Sequence, residues 1–208
     1  MIFKQFILGP MGANCYLIGC EETRAAAVID PGGEPSEVLA EIKRLGLTLR
    51  CVINTHGHVD HIAGNRAVKE ATGAEILIHA ADAPMLTNSR LNLSSFLEDE
   101  AGLLAGPPAD RELLDDEVIE VGHLSIQVRH TPGHTPGGIC LLAGDALFSG
   151  DTLFAESIGR TDFPGGSAET LIRSIQQKLL VLPDETPVYP GHGPMTTIGD
   201  EKALNPFL

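Results

Sequence analysis

Between an apolar β-branched run, LRCVINT, and a stretch with helical spacing, the chain carries THGHVDHIAG at positions 55–64. Positions 56–61 alone hold three histidines and one aspartate. His56 and His58 are two apart, so in extended backbone they project to the same side and can chelate one ion. Asp60 and His61 come at the turn into the helix and can point towards a second position nearby. A loop leaving a strand end and stiffened by Gly57 is a sound platform for such ligands. Neutral imidazoles with a carboxylate suit zinc, iron or manganese about equally well.

Further ligands are available in later loops. HTPGHTPGG contains His130 and His134; FSGDTLF places Asp151 after an apolar run; YPGHGP places His192 in the same strand-then-glycine setting. His130 continues the Leu124, Ile126, Val128 face of its strand, which favours a core or supporting role. His134 sits in the Pro/Gly-rich loop itself, where a ligand can be presented. His79 and His123 have no such setting. The candidates are His56, His58, Asp60, His61, His134, Asp151 and His192, more than one four-coordinate zinc uses. Two divalent metal ions bridged by one carboxylate accommodate them all. Ions roughly 4 Å apart can share and acidify a bridging water.

These loops need strands to hold them. IFKQFIL, NCYLIGC, AAAVID, LRCVINT, EILIH, EVIEV, LSIQVRH, GICLL, ALFSG and PVYP all read as strands. Leu124, Ile126 and Val128 alternate with Ser125, Gln127 and Arg129. A helix is expected after Pro35, with Val38, Leu39, Ile42 and Leu45 on one face and Gly46 as its stop. A second follows THGHVDH, with Ile62, Ala63, Ala67, Val68 and Ala71, and closes at Gly73. A third is capped by Ser167 and faces Leu171, Ile172, Ile175 and Leu179 to the core. Hairpin-joined strands with interposed helices predict layered α/β packing rather than a doubly wound parallel sheet. The stretch 80–116 reads as an elaborated connection lying over the site. No repeat or linker divides the chain, so residues 1–208 are expected to form one domain.

Composition sets outer limits. With 208 residues and a net charge of −14, the chain offers no basic surface for nucleic acid or anionic membranes. Positions 95–121 hold nine acidic residues and one Arg, which reads as a solvated insertion. No run approaches the roughly 20 apolar residues of a membrane span, and the first residues make no signal peptide. Four cysteines without a CxxC pair fit buried free thiols in a reducing cytoplasm.

The order HxHxDH, His, Asp, His resembles the metallo-β-lactamase superfamily. More narrowly, VIDPGG, THGHVDHIAGN, HTPGHTPGG, SGDTLF, IGRTDFPGGS and YPGHGPMTTIGDEKALNPF look like the single-domain glyoxalase II-like hydrolases. The resemblance implies a four-layer αββα sandwich with metals at one edge of its two sheets. It implies that His56, His58 and His134 hold one metal, that Asp60, His61 and His192 hold the other, and that Asp151 bridges them. The implied activity is hydrolysis of small-molecule thioesters, above all glutathione thioesters such as S-lactoylglutathione, by a metal-bridging hydroxide. Zinc is the expected metal, with iron or manganese as alternatives, and Asp60 is expected to orient the nucleophile as well as to ligate. Arg160, in IGRTDF, lies in a segment that resembles one near the glutathione pocket of related enzymes, although a structural salt bridge explains it equally well.

Gly193-Pro194 stands where two-domain glyoxalase II enzymes have Glu-Tyr, and sixteen residues follow His192. A more open site is therefore expected. The rival activity is a persulfide dioxygenase, in which His56, His134 and Asp151 would hold a single non-haem iron. A β-lactamase is disfavoured by the carboxylate at Asp151, and a non-catalytic zinc-stabilised module by the surplus of ligands.

Overall fold

The computed structural model describes residues 1–96 and 106–208. Two six-stranded mixed sheets lie face to face. The first runs β1 (Ile2–Leu8), β2 (Ala13–Gly19), β3 (Ala25–Ile29), β4 (Thr48–Asn54), β5 (Glu75–His79) and β6 (Arg111–Leu113) in that spatial order. Its first three strands pair antiparallel and the rest parallel. Helix α1 (Ser36–Leu45) makes the β3–β4 crossover, and α2 (Val59–Ile62) with α3 (Asn65–Thr72) makes the β4–β5 crossover.

The second sheet contains β7 (Val118–Val121), β8 (Leu124–His130), β9 (Ile139–Ala143) and β10 (Ala146–Gly150), joined as antiparallel neighbours. A small hairpin, β11 (Leu153–Phe154) with β12 (Ser157–Ile158), follows, and then α4 (Ala168–Ser174). Strand β13 (Pro187–Pro190) returns parallel to β10, β14 (Thr196–Thr197) completes that edge, and α5 (Ile198–Leu204) ends the fold.

Period-two alternation decides which layer each side chain joins. Ile18, Ala27, Ile53 and Leu77 meet Ile126, Val128, Leu141 and Phe148 between the sheets. The intervening Leu17, Val28, Val52 and Ile76 point outwards and are covered by Val38, Ile42 and Val68 of the helices. On the opposite outer face Cys140, Leu147 and Val188 are covered by Leu171, Ile175, Leu179 and Ile198. This is the αββα sandwich expected from the sequence. Each fully buried large aliphatic or Phe contributes about 1.5–3 kcal/mol relative to exposure. All four cysteines are free and buried, as expected. Among the described residues no helix is long and apolar enough to cross a membrane.

Some expectations need correction. The single helix expected after THGHVDH, from Ile62 to its stop at Gly73, is two helices, Val59–Ile62 and Asn65–Thr72, broken at Gly64. That glycine's N–H donates to the Pro31 carbonyl at 2.7 Å, and a Cβ there would lie 2.5 Å from the Gly33 oxygen. Ala67 and Ala71 consequently face solvent, and Val68 alone of the expected apolar set from 67 onwards reaches the core. The acidic stretch is no simple solvated insertion, because β6 and β7 fall within it and bury Leu113, Ile119 and Val121. The 80–116 connection includes two short 3-10 turns, Ala83–Thr87 and Ser94–Phe96, while its part at 97–105 lies outside the described residues. Helix α4 continues as one wide π-type turn, Ile175–Leu179, and Ile172, expected on the core face, is half-buried.

Candidate metal centre

Strands β4, β8, β10 and β13 release, at a common edge of the sandwich, the loops bearing positions 56–61, His134, Asp151 and His192. The first loop is fixed at its root. Thr55 donates its N–H to Asp30 Oδ1 at 2.7 Å and its hydroxyl to Asp30 Oδ2 at 2.5 Å. Asp30 itself adopts a left-handed φ of 50°, which Asp tolerates better than most residues. Gly57 packs so closely on Met85 that any Cβ would collide with it. His58 is still extended when the chain enters α2, so Asp60 and His61 fall in the first helical turn and point past it.

Two groups of ligand atoms result from the seven candidates, and a third set, Asp30, His56 and His61, shares one histidine with each. His58 Nδ1 lies 2.9 Å from His134 Nε2, and His56 sits edge-on to both rings with centroids 4.8 Å away. His61 Nε2 lies 3.2 Å from His192 Nε2 and 3.6 Å from Asp60 Oδ2, with His192 Nε2 to Asp60 Oδ2 at 3.1 Å. Within each group the donor atoms are within 4.8 Å of one another. Asp151 lies between the groups. Its Oδ1 is 3.4 Å from His61 Nε2, and its Oδ2 is 3.7 Å from His134 Nε2 and 3.9 Å from His192 Nε2. All seven sequence candidates therefore come together.

Supporting hydrogen bonds fix which nitrogen each ring can offer. His61 Nδ1 lies 3.0 Å from Asp30 Oδ2, and His134 Nδ1 lies 2.7 Å from the Arg160 carbonyl. Donation there leaves Nε2 free as a ligand in both. His56 Nε2 and Asp151 Oδ1 are buried with no hydrogen-bond partner, although buried polar atoms are nearly always satisfied. Orphaned acceptors surrounded by imidazoles and carboxylates fit divalent metal ions, and the donor set matches the nitrogen and oxygen ligands such ions take.

The electrostatics prepare the two groups differently in the metal-free protein. Burial, reinforced by neighbouring imidazoles, pushes His56 far below its ordinary value and His58 down to about 3, so both are neutral and ready to ligate. Burial also opposes a charge on His61, but Asp151, Asp30 and Asp60 outweigh it and hold its pKa up at about 10. Burial opposes a charge on Asp60 too, yet its hydrogen bond from His192 and the nearby His61 hold it well below the usual carboxylate range. That same hydrogen bond raises His192.

Two supporting carboxylates received no role from the sequence. Asp30 lies in VIDPGG, directly after β3, with no other ligand type beside it in the chain. Asp82 is fully buried and accepts from Gly57 N–H at 3.1 Å, Thr135 Oγ1 at 2.7 Å and Gly137 N–H at 2.6 Å. It thereby ties the His56–His58 loop to the His134 loop. Burial raises its pKa even against those three donors.

The centre opens into a cavity of about 640 Å³, with His58, Asp60, His134, Asp151 and His192 on its lining. Arg160 also lines it, but its guanidinium pairs with Asp162 at 2.9 and 2.7 Å and lies 4.3 Å from the Phe163 ring centre. The structure thus shows the salt bridge, on a side chain 65% exposed at the cavity. His130 stacks on His79 at 4.0 Å and bonds the Pro136 carbonyl, away from the ligands. His123 pairs with Glu22 on the surface.

A two-sheet sandwich with clustered His and Asp ligands at one edge is the architecture of a metallohydrolase. The chain belongs to the metallo-beta-lactamase superfamily, whose family model matches residues 8–192. It is 40% identical to hydroxyacylglutathione hydrolase GloC of Haemophilus influenzae, over 94% of this chain and 92% of that protein. Among solved structures, BLEG-1 B3 metallo-beta-lactamase superposes with a TM-score of 0.93 at 39% identity, covering 100% of this chain and 99% of that one. ETHE1 from Myxococcus xanthus gives 0.83 at 37% identity, covering 99% and 84%. TTHA1623 in a di-iron-bound form gives 0.85 at 36% identity, covering 99% and 100%.

Proposed function

We propose that this chain is a binuclear metal-dependent thioester hydrolase acting on small-molecule thioesters, with glutathione thioesters such as S-lactoylglutathione as the first class to test. The observation that carries the reading is the pair of facing ligand groups with Asp151 between them, one group more than a single metal takes. The likeness to GloC supports the substrate class, and the di-iron neighbour supports the metal count. His56, His58 and His134 would hold one ion, Asp60, His61 and His192 the other, with Asp151 shared; zinc is the metal we favour, iron or manganese being accommodated by the same donors. Such a pair supplies an acidified water and a polarised carbonyl.

The protein's own groups complete the chemistry. Asp60 lines the cavity and stays ionised, so it can accept a hydrogen bond from the attacking water and orient it. His58 and His56 stay neutral and retain their lone pairs. A thiol leaving group with a pKa of about 8.5 departs without a dedicated strong acid, and none is assigned.

The competing reading is a persulfide dioxygenase with a single non-haem iron. It is favoured by Asp151 Oδ2 lying 3.7 Å from His134 Nε2, which with His56 makes a two-His-one-carboxylate face. Elemental analysis of protein purified without added metal or chelator separates the two. About two ions per chain, followed by hydrolysis of S-lactoylglutathione, supports the proposal; one iron with oxygen consumption on a persulfide refutes it. Turnover of a β-lactam in place of either would align the chain with the activity named for BLEG-1.

A further inference from the structure

The cavity has two unlike kinds of lining. The candidate ligands make one part of the lining; Met11, Leu93, Phe96, Phe154, Ile158 and Phe163 make the apolar part, which begins beside the ligands, with the Phe163 ring 5.4 Å from that of His58 and the Phe154 ring 6.5 Å from that of His192. Phe96 is 75% exposed and Met11 45% exposed, so large apolar side chains stand open to whatever enters. Among the described residues lining the cavity Arg160 is the one Lys or Arg, and Asp162 already holds it by two hydrogen bonds. Among the described lining residues no second Lys or Arg is there to meet the carboxylates of a polar carrier.

Leu93 supplies a separate observation. Its φ of 67° lies in the left-handed region, which L side chains rarely adopt. The backbone is held there from both sides. Val59 N–H donates to the Asn92 carbonyl at 2.9 Å, Asn92 Nδ2 to the Met85 carbonyl at 3.0 Å, and Ser94 N–H to Asn92 Oδ1 at 3.0 Å. A strained backbone fastened to the metal loop thus presents an apolar side chain to the cavity, and such strain concentrates at sites of function.

We infer that the cavity takes thioesters carrying a linear apolar arm, seated along Leu93, Phe96, Phe154 and Phe163 while the thioester carbon reaches the ligand groups. The inference rests on the hydrolase reading for the reacting bond alone; the arm's seat is a property of the walls. The arm can belong to the acyl or to the thiol half, so both are varied.

Two substrate series test it on metal-loaded protein: N-acetylcysteamine thioesters from acetyl to hexanoyl, and acetyl thioesters of alkanethiols of matching lengths. Burying each methylene should raise kcat/KM about fourfold along at least one series. Binding of non-hydrolysable S-alkyl thioethers, followed by calorimetry, should show the same slope with a negative heat-capacity change. Leu93→Asn, a residue that accepts the left-handed region more readily, should fold and flatten both slopes. A chain-length slope in binding without turnover of any thioester would leave the apolar arm standing and remove the hydrolase. Turnover that ignores chain length in both series, or binding without a slope, would overturn the inference and leave the hydrolase untouched.

Discussion

Asp82 touches none of the candidate ligands through its side chain, yet it should decide whether one of the two ligand groups exists. Its carboxylate accepts three hydrogen bonds, from Gly57 N–H, Thr135 Oγ1 and Gly137 N–H, and is 0% exposed. Asp82→Ala leaves those three donors buried without a partner. At about 1 kcal/mol for each donor, the low end of the range, folding should weaken by about 3 kcal/mol. The low end applies because burial already raises the free energy of the charged carboxylate. Asp82→Asn keeps one acceptor and turns an N–H₂ towards a donor, so it should cost about half as much. Gly57 lies between His56 and His58, and Thr135 follows His134. Both variants should therefore weaken metal at the group of His56, His58 and His134 by roughly 10–100-fold, the usual effect of a supporting residue. The group of Asp60, His61 and His192 has no contact with Asp82 and should keep its metal. Urea unfolding of the metal-free variants and calorimetric metal titration read the two effects separately. Wild-type stability together with two undisturbed binding steps in Asp82→Ala would refute this account of the loop.

Asp30→Asn should retain the left-handed backbone, which Asn accepts, but should lower metal affinity about 10–100-fold by loosening His61; an unchanged titration would deny Asp30 that role. In the metal-free protein the pKa of His61 is raised to about 10, so at pH 8 it enters metal binding protonated and the proton competes with the metal. Affinity at its group should thus climb with pH towards 10. Titrations at pH 8 in buffers of differing ionisation heat should report at least one proton released, and release of none would mean a neutral His61. Gly133→Ala places a Cβ against the Leu171 backbone at a φ of 137°, so it should destabilise by roughly 3 kcal/mol; a wild-type unfolding midpoint would contradict that crowding. His58→Ala should abolish hydrolysis in a folded chain. His130→Ala should cost less than the roughly tenfold expected of a direct ligand partner, because it stacks on His79 instead, and equal losses would mean the wrong histidine was placed at the centre.

The difference between Asp60 and Asp82 shows what a linear sequence can carry. Asp60 is legible because its partners are its neighbours: HxHxDH compresses four ligands into six positions, and strand-end loops advertise the rest. Most of the strands are legible for a similar reason, since alternation in LSIQVRH or a β-branched run in LRCVINT is a local property. Asp82 depends on donors 25, 53 and 55 positions away, inside HAADAPM, where the helix and turn signals overlap. Its only local mark is an aspartate two residues before Pro84, which reads as the start of any short helical turn. Asp30 is similar, because its partners Thr55 and His61 lie 25 and 31 residues on. The break at Gly64 escaped for the same cause, its reason being Pro31 and Gly33 across the fold. Helix α5 escaped for another: seven residues with two acids and few apolar positions carry too little periodicity, although Ile198 and Glu201 are buried. Ligands can be read from sequence because several must surround each ion and the chain supplies them in runs. The groups that aim those ligands act one at a time across long loops, and only a structure brings them into view.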